Sequence, residues 1–433
     1  MIFRTKTKSL LPQAKLYSEL LVVTERGSRN IEAMSGNLPS NDYHRIQHFI
    51  SESPWSAREL MDSVAKDIND LFKNEKSVGL IIDESSEEKK GEKSVGVAHQ
   101  YCGTVGKQAN CQVAVFATLC AGEHFSLIDA QLYFPQEWTN NPKRMEKAGV
   151  PKDTVYKKKT AIALEIVKRQ KEAGIRIDYV AADALYGHDS EFRAGLDELG
   201  ILFVLDVHKD IQIFEQEFQI EVPAKKPGRG KTPIKAKPNQ KSKRVDKYMA
   251  DLTDKDWSTV VLRNGCKGAL VSQVHAKEIY VNENDTCVKR TLIIRKTKQY
   301  KTTVVHFILS NGSLEEFTKE MLAEYQSQRF YIEQSFREAK QNIGMCDYQV
   351  RGWLAWNHHI ALSLMALAFF TMEKKEHEAE LPLLSYRDIR DAIIDNFIQE
   401  QKPLPFEEKM AIRHRQRQSD INRHYRKKSN VLK

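Results

Sequence analysis

Apolar positions recur along this chain in two rhythms. Through the first 75 residues the spacing is helical: Tyr43, Ile46, Phe49 and Ile50 follow Asp42, a residue suited to cap a helix, and Leu60, Met61, Val64, Ile68, Leu71 and Phe72 share one face after the cap-like Ser56. These patterns predict a helical N-terminal domain over residues 1–75. From Ser77 the apolar runs become short and continuous. Val78 to Ile82, Val95 to Tyr101, Cys111 to Leu119 and Leu127 to Phe134 read as strands, the second and third joined through a turn region holding Gly103, Gly106 and Asn110. An amphipathic helix from Ala161 to Ala173 stops at Gly174, a strand from Ile177 to Ala182 ends in Asp183, a helix from Ser190 to Leu199 stops at Gly200, and Ile201 to Val207 is a further strand. Antiparallel strands followed by strand–helix alternation predict an α/β core with a mixed sheet, whose first part spans residues 76–207.

After Val207 the rhythm dissolves into Pro223 to Lys247, a basic stretch with Pro and Gly and no periodicity, expected to be mobile. Strands resume at Thr259 to Leu262, Gly268 to Val274, Glu278 to Val281, Thr291 to Ile294 and Thr302 to Leu309, so residues 208–310 read as a β-rich insertion. One long helix is expected from Ser313, where Ser313 and Glu316 suit a capping box, to Ile343, with Gly344 as its stop. A strongly apolar helix from Gly352 to Lys374 follows, so that residues 311–375 complete the core and 376–433 form a helical, basic C-terminal region. The longest apolar stretch, Ile360 to Met372, has 13 residues against the roughly 20 a membrane span needs. Met1 to Leu11 shows no signal-peptide pattern, and a cytoplasmic location is expected. The six cysteines form no CxxC pair and read as small core residues.

Charge adds a partner to this picture. The formal net charge is +9, but residues 223–247 carry +9 and residues 409–433 carry +8, which leaves −8 on the other 383 residues. A mildly acidic body with two basic segments suits a polyanionic partner such as nucleic acid, with a pair of solvated tails as the plainer alternative.

The candidate chemistry lies in three acids. Asp83 and Asp183 each end a run of apolar strand residues, LIID and VAAD, and the C-terminal strand ends of an open α/β sheet are where ligands bind. Two such acids on neighbouring strands make the hard oxygen site that Mg2+ or Mn2+ prefers. On the helix expected from Ser313, Arg329, Glu333 and Lys340 fall within about 40° of one line at roughly 100° per residue. That line borders the apolar stripe Tyr325, Ile332, Phe336 and Ile343. An Asp after a strand is commonly a turn former, and an Arg–Glu pair at i,i+4 a surface feature, so neither alone identifies a site. His44 and His48, four apart, lack a third ligand, and His188 reads as a turn residue.

The segments LIIDESSEEKKGEKSVGVAHQYCGTVGKQANCQVAV, VAADALYGHDSEF and RFYIEQSFREAKQNIG resemble, in order, the three acidic blocks of DDE transposases from bacterial insertion sequences. The resemblance is closest to the branch with a Tyr-Arg-Glu-Lys signature, in the IS-four superfamily and its seven-hundred-one-like group. It covers roughly residues 30–375, and KKGEKSVGVAHQYCG and LYFPQEWTNNPKRMEKAGVP are specific to one subgroup. It implies a ribonuclease-H-like fold interrupted by a β-rich insertion, and a metal-dependent enzyme that cleaves element ends and joins them to target DNA. Carried across, Asp83, Asp183 and Glu333 become the catalytic and metal-binding acids, holding Mg2+ or Mn2+ and in that family two ions. Arg329 and Lys340 become phosphate contacts. The signature's Tyr falls one place early: Tyr325 stands there as the DNA-binding residue and Gln326 fills the signature's own position, which turns the side chain by about 100°. Glu84 follows the first acid where Asp or Thr is the pattern. In related transposases an aromatic at the place of Trp257 stacks on a flipped base, with an ordinary buried Trp as the alternative, and the basic segment with Lys225, Lys226, Arg229 and Lys231 reads as a mobile clamp on the DNA backbone. The implied partners are double-stranded DNA, as terminal inverted repeats and target, and a second copy of the chain when two ends are paired. A DNA-binding protein that no longer cuts, and a structure-specific nuclease, are the alternatives.

Overall fold

Leu80, Ile81 and Ile82, fully buried, lie in the first half of strand β1 (Gly79–Glu88) in a computed structural model of the chain. That structure describes all residues except 1, 5–7, 26, 28, 36–41, 225–233, 266–267, 300–301, 401–406, 408–409, 412–413, 416, 419–420 and 423–433. On one side β1 pairs antiparallel with β3 (Lys107–Ala121), whose outer edge carries β2 (Ala98–Cys102) and β4 (His124–Leu132). On the other it pairs parallel with β5 (Tyr179–Ala182), and β5 pairs parallel with β6 (Phe203–Val207). Parallel strands buried on both faces need unbroken apolar runs, which is what VAA and FVL supply.

The insertion does not stand apart from this sheet. Its strands β7 (Ser258–Gly265), β8 (Gly268–Glu283), β9 (Thr286–Gln299) and β10 (Thr302–Ser310) form an antiparallel meander, and β10 pairs antiparallel with β6. The result is one ten-stranded mixed sheet in the order β7-β8-β9-β10-β6-β5-β1-β3-β2, with β4 on β3. Two strands expected at Gly268 to Val274 and Glu278 to Val281 are the single strand β8. The residues between them stay in the ladder, His275 to Lys277 pairing with Ile294 to Leu292 of β9, and His275 is buried between the Tyr248 hydroxyl at 3.0 Å and the Asp256 carbonyl at 2.9 Å.

Helices cover the sheet. α1 (Leu11–Val23), α2 (Ile31–Ser35), α3 (Asp42–Ser51) and α4 (Ala57–Leu71) precede β1, and the Ser56 hydroxyl caps α4 by accepting from the Glu59 N–H at 3.1 Å. Such a cap is worth about 1 kcal/mol. α5 (Lys159–Glu172) and α6 (Ser190–Glu198) flank β5 in sequence, and Asp189 caps α6. Where one helix is expected from Ser313 to Ile343 there are two. The Ser313–Glu316 pair closes a turn instead of opening a helix, Thr318 caps α7 (Lys319–Ser327), and after a break at Gln328–Arg329 comes α8 (Phe330–Glu338). A π-helical turn, Ala339–Ile343, leads to Gly344, whose φ of 81° ends the segment as expected.

α9 (Trp353–Glu376) runs through the middle of the core, and α10 (Tyr386–Glu400) packs beside it. α9 is long and apolar enough to cross a membrane by composition, but most of its most apolar stretch is buried within the fold. Its two histidines tie the N-terminal helices down. His358 stacks on Trp55 at 3.8 Å, with its ring nitrogens 2.8 and 2.9 Å from the carbonyls of Ile50 and Trp55. His359 lies between the Tyr17 hydroxyl at 2.8 Å and the Met345 carbonyl at 3.0 Å, and burial lowers its pKa to about 4. Helices α1 to α4 therefore share one apolar core with α9 and the sheet.

Candidate active site

The parallel pairing of three neighbouring strands stops at the same level, while β1 and β6 continue in antiparallel pairing with β3 and β10. The register pairs Ile82 with Ala182 and Ala182 with Leu205, so the next residues, Asp83, Asp183 and Asp206, stand abreast along one sheet edge. Asp83 accepts from the Glu84 N–H at 2.7 Å, and Asp183 caps the short turn Ala184–Gly187 by accepting from the Leu185 N–H at 2.9 Å. The turn packs directly on β6: a Cβ on Gly187 would stand 1.9 Å from the Asp206 carbonyl oxygen, so only glycine lets the backbone approach this closely.

Burial, helped by the Asp183 and Glu84 charges, pushes the Asp83 carboxyl up to about 8. Burial and then Glu84 also raise Asp183, against the hydrogen bond from Leu185 and the Arg329 charge. Beyond the backbone bonds just described, these two carboxylates keep open lone pairs. Glu84 is occupied: it accepts from the Tyr186 hydroxyl at 2.7 Å and from Lys159 Nζ at 2.9 Å.

The break between α7 and α8 delivers Arg329 to this edge. Its Nη2 lies 3.1 Å from Glu333, its Nε 3.3 Å from Asp206 and its Nη1 3.9 Å from Asp83, so the guanidinium stands between the half-exposed Glu333 and the two strand-end acids. Among the described residues no group of three His, Cys, Asp or Glu side chains is close enough together to hold a metal ion, and the intervening Arg329 is the physical reason for Glu333. Asp83 and Asp183, hard oxygen donors set side by side by the strand register, fit a divalent cation chemically.

The other expected contacts fall elsewhere. Lys340 sits in the π-helical turn and, among the described residues, makes no ion pair with the acids. Tyr325 stacks on Tyr179, rings 4.1 Å apart and 9° from parallel, which gives it a packing role. Gln326, at the signature's Tyr position, reaches inward and donates to Asp206 at 2.7 Å. Trp257 packs in the apolar cluster of the insertion with Lys296 Nζ 3.7 Å from its ring. Lys225, Lys226, Arg229 and Lys231 lie outside the described residues.

Asp206 was not read from the sequence, although FVLD repeats the apolar run and terminal Asp of LIID and VAAD. Its Oδ2 also lies 3.5 Å from His306 Nδ1 on β10. A groove of about 880 Å³ opens beside it, lined by Asp183, His188, Asp206, His208, Arg244 and His306 among others, with the His188 and His208 rings 5.2 Å apart.

The sequence matches the family model for DDE superfamily endonucleases over residues 12–269, a stretch that contains Asp83, Asp183 and Asp206 and ends before Arg329, Glu333 and Lys340. It is 28% identical over 211 residues to a probable transposase for insertion sequence element IS701 from Microchaete diplosiphon. That alignment covers 47% of this chain and 52% of the relative, so the chain spans about half the length of the relative it matches. Among solved structures, the NurA nuclease from Sulfolobus solfataricus aligns over 67% of this chain and 86% of its own at 10% identity, with a TM-score of 0.27.

Proposed function

This chain belongs to the DDE superfamily of endonucleases, and on that premise we propose that it is a DNA transposase that cleaves the ends of its own element and joins them to target DNA. The observation that carries the reading is the row of Asp83 and Asp183 at adjacent parallel strand ends, with Arg329 and Glu333 brought to the same edge by α8. The core is then ribonuclease-H-like, with residues 76–207 and 311–375 as its two parts and 208–310 as an insertion joined to its sheet.

Asp83, Asp183 and Glu333 are the residues that hold divalent ions, Mg2+ or Mn2+. Bound there, such ions supply activation of the attacking oxygen and charge stabilisation of the leaving oxygen in an in-line displacement at phosphorus. Glu333 joins the other two acids when Arg329 releases it, and Arg329 then has donors free for a DNA phosphate as a planar fork. Lys159 and Tyr186 engage both Glu84 oxygens, which leaves Asp83 and Asp183 as the acids for the ions. Water attacks first and the resulting DNA 3′-hydroxyl second, so no protein nucleophile is needed.

The partners in this reading are double-stranded element ends and target DNA, with two copies of the chain at paired ends, in the cytoplasm. Residues 1–75 and the basic segments 223–247 and 376–433 add DNA contacts, positioning the duplex through its phosphates. The test is direct. Purified protein with Mg2+ is given linear DNA that carries the sequences flanking its gene. Nicks at a pair of inverted repeats and joined products are expected, and cleavage scattered without regard to those ends would contradict transposition.

A further inference from the structure

We propose that Asp206 is a positioning residue of this site: it holds the Arg329 guanidinium at the rim of the acid cluster, shared with Glu333 and 3.9 Å from Asp83, so that it competes less with divalent ions at Asp83 and Asp183. The inference rests on the reading of those three acids as the metal-binding set.

The three aspartates stand in one row, yet their surroundings differ. Asp83 and Asp183 accept the backbone N–H bonds described above and have lone pairs to spare. The Asp206 carboxylate already faces three side-chain partners. Oδ1 accepts from Gln326 Nε2 at 2.7 Å, while Oδ2 faces Arg329 Nε at 3.3 Å and His306 Nδ1 at 3.5 Å. Asp206 also lies inside the sheet, paired with Ile308 of β10, whereas Asp183 leads into a turn. A carboxylate tied to α7 through Gln326 and facing Arg329 and the insertion's His306 is placed to hold the guanidinium.

What it holds is a cation that competes for the acids. Arg329 divides its donors between Asp206, Glu333 and, more distantly, Asp83. A charge-assisted bond strengthens as competing partners are removed. Without the Asp206 charge, the guanidinium has Glu333 and Asp83 as its anionic partners and becomes a stronger rival to an incoming ion. Arg295 on β9, buried and pulled down to about 10 chiefly by burial, with Arg329 and Arg263 adding to the effect, also has Asp206 as its compensating charge. The same carboxylate therefore offsets the charge of two neighbouring guanidiniums.

The experiment is a titration with Mn2+ alone, following the electron paramagnetic resonance of the free ion. It uses the full chain as wild type, Asp206→Asn, Arg329→Ala and the double variant, each checked by thermal melting. Asp206→Asn is expected to weaken Mn2+ binding roughly tenfold in the wild-type background, the scale of one charge-assisted bond, and less than about threefold in the Arg329→Ala background. Equal losses in both backgrounds, or no loss in the single variant, would overturn the proposal. Gln326→Leu removes a bond to Asp206 but neither charge, and should hold Mn2+ affinity within about twofold. A tenfold loss there would assign the effect to packing of α7 and also overturn it. Wild-type Mn2+ affinity in Asp183→Asn would instead defeat the metal-site reading, which keeps the two failures distinct.

Discussion

Asp83 holds its proton up to about pH 8 because burial and two neighbouring carboxylates disfavour its charge. An unfolded aspartate releases its proton near 3.9. Between those values the folded chain binds a proton that the unfolded chain has lost. This group's contribution to ion-free stability is therefore present below about pH 4 and falls away as pH rises toward about 8. A divalent ion takes the proton's place, so Mg2+ should raise the melting temperature more at pH 8.5 than at pH 6. Asp83→Asn should lose that increment and, without Mg2+, melt above wild type at pH 8.5. Calorimetry across that range decides it, and an undiminished Mg2+ increment in Asp83→Asn would contradict the assignment. The strand-end pattern made two of the row's three aspartates legible, since an apolar run followed by Asp is a local signal. Asp206 carried the same signal and went unread because no motif drew attention to it. The stacking of Tyr325 on Tyr179 was out of reach: it joins residues 146 positions apart, and only the assembled fold brings those rings together.

The segment from Ser313 to Ile343 shows what helical spacing conveys and what it omits. Arg329 and Glu333 meet at 3.1 Å as i,i+4 neighbours, because the relation is local to the start of α8. The line extended to Lys340 requires a continuous α-helix, and the π-helical turn beginning at Ala339 breaks that continuity. Likewise the Ser313–Glu316 pair forms as read, but Thr318 is where the backbone begins to wind. The strands of the insertion were visible as apolar runs. Their joining to β6 through β10 was not, since edge pairing depends on which strand end remains uncovered. On this geometry, Arg329→Ala should slow single-turnover cleavage by about 10²-fold or more, the scale of one missing charged partner in the transition state. Lys340→Ala should fall by less than about tenfold, and Tyr325→Phe should stay near wild type, its ring stacking preserved. A severe loss in Tyr325→Phe would mean that its hydroxyl reaches the DNA after all.

Across the whole molecule, one ten-stranded sheet and the buried helix α9 gather the N-terminal helices, the strand-end acids and the insertion into a continuous scaffold. Their relative positions are set by packing, which suits a site assembled from β1, β5, β6 and α8. Against that body the basic segments stand out, with +17 in two 25-residue stretches and −8 elsewhere. Composition alone made this asymmetry legible. Replacing residues 223–247 by a neutral linker should flatten the log–log dependence of DNA affinity on salt, since each phosphate no longer neutralised by a Lys or Arg takes about 0.9 off the slope. An unchanged slope would show that the segment does not touch the backbone. The central claim is that Asp83, Asp183 and Glu333 act together on a DNA phosphate. The most direct measurement is single-turnover cleavage of an end substrate by Asp83→Ala, Asp183→Ala and Glu333→Ala, with binding of that DNA measured alongside. Each variant should bind within about threefold of wild type and cleave at least roughly 10³-fold more slowly, the scale expected when a metal-supported step is lost. Near-wild-type cleavage by any one of the three would contradict it.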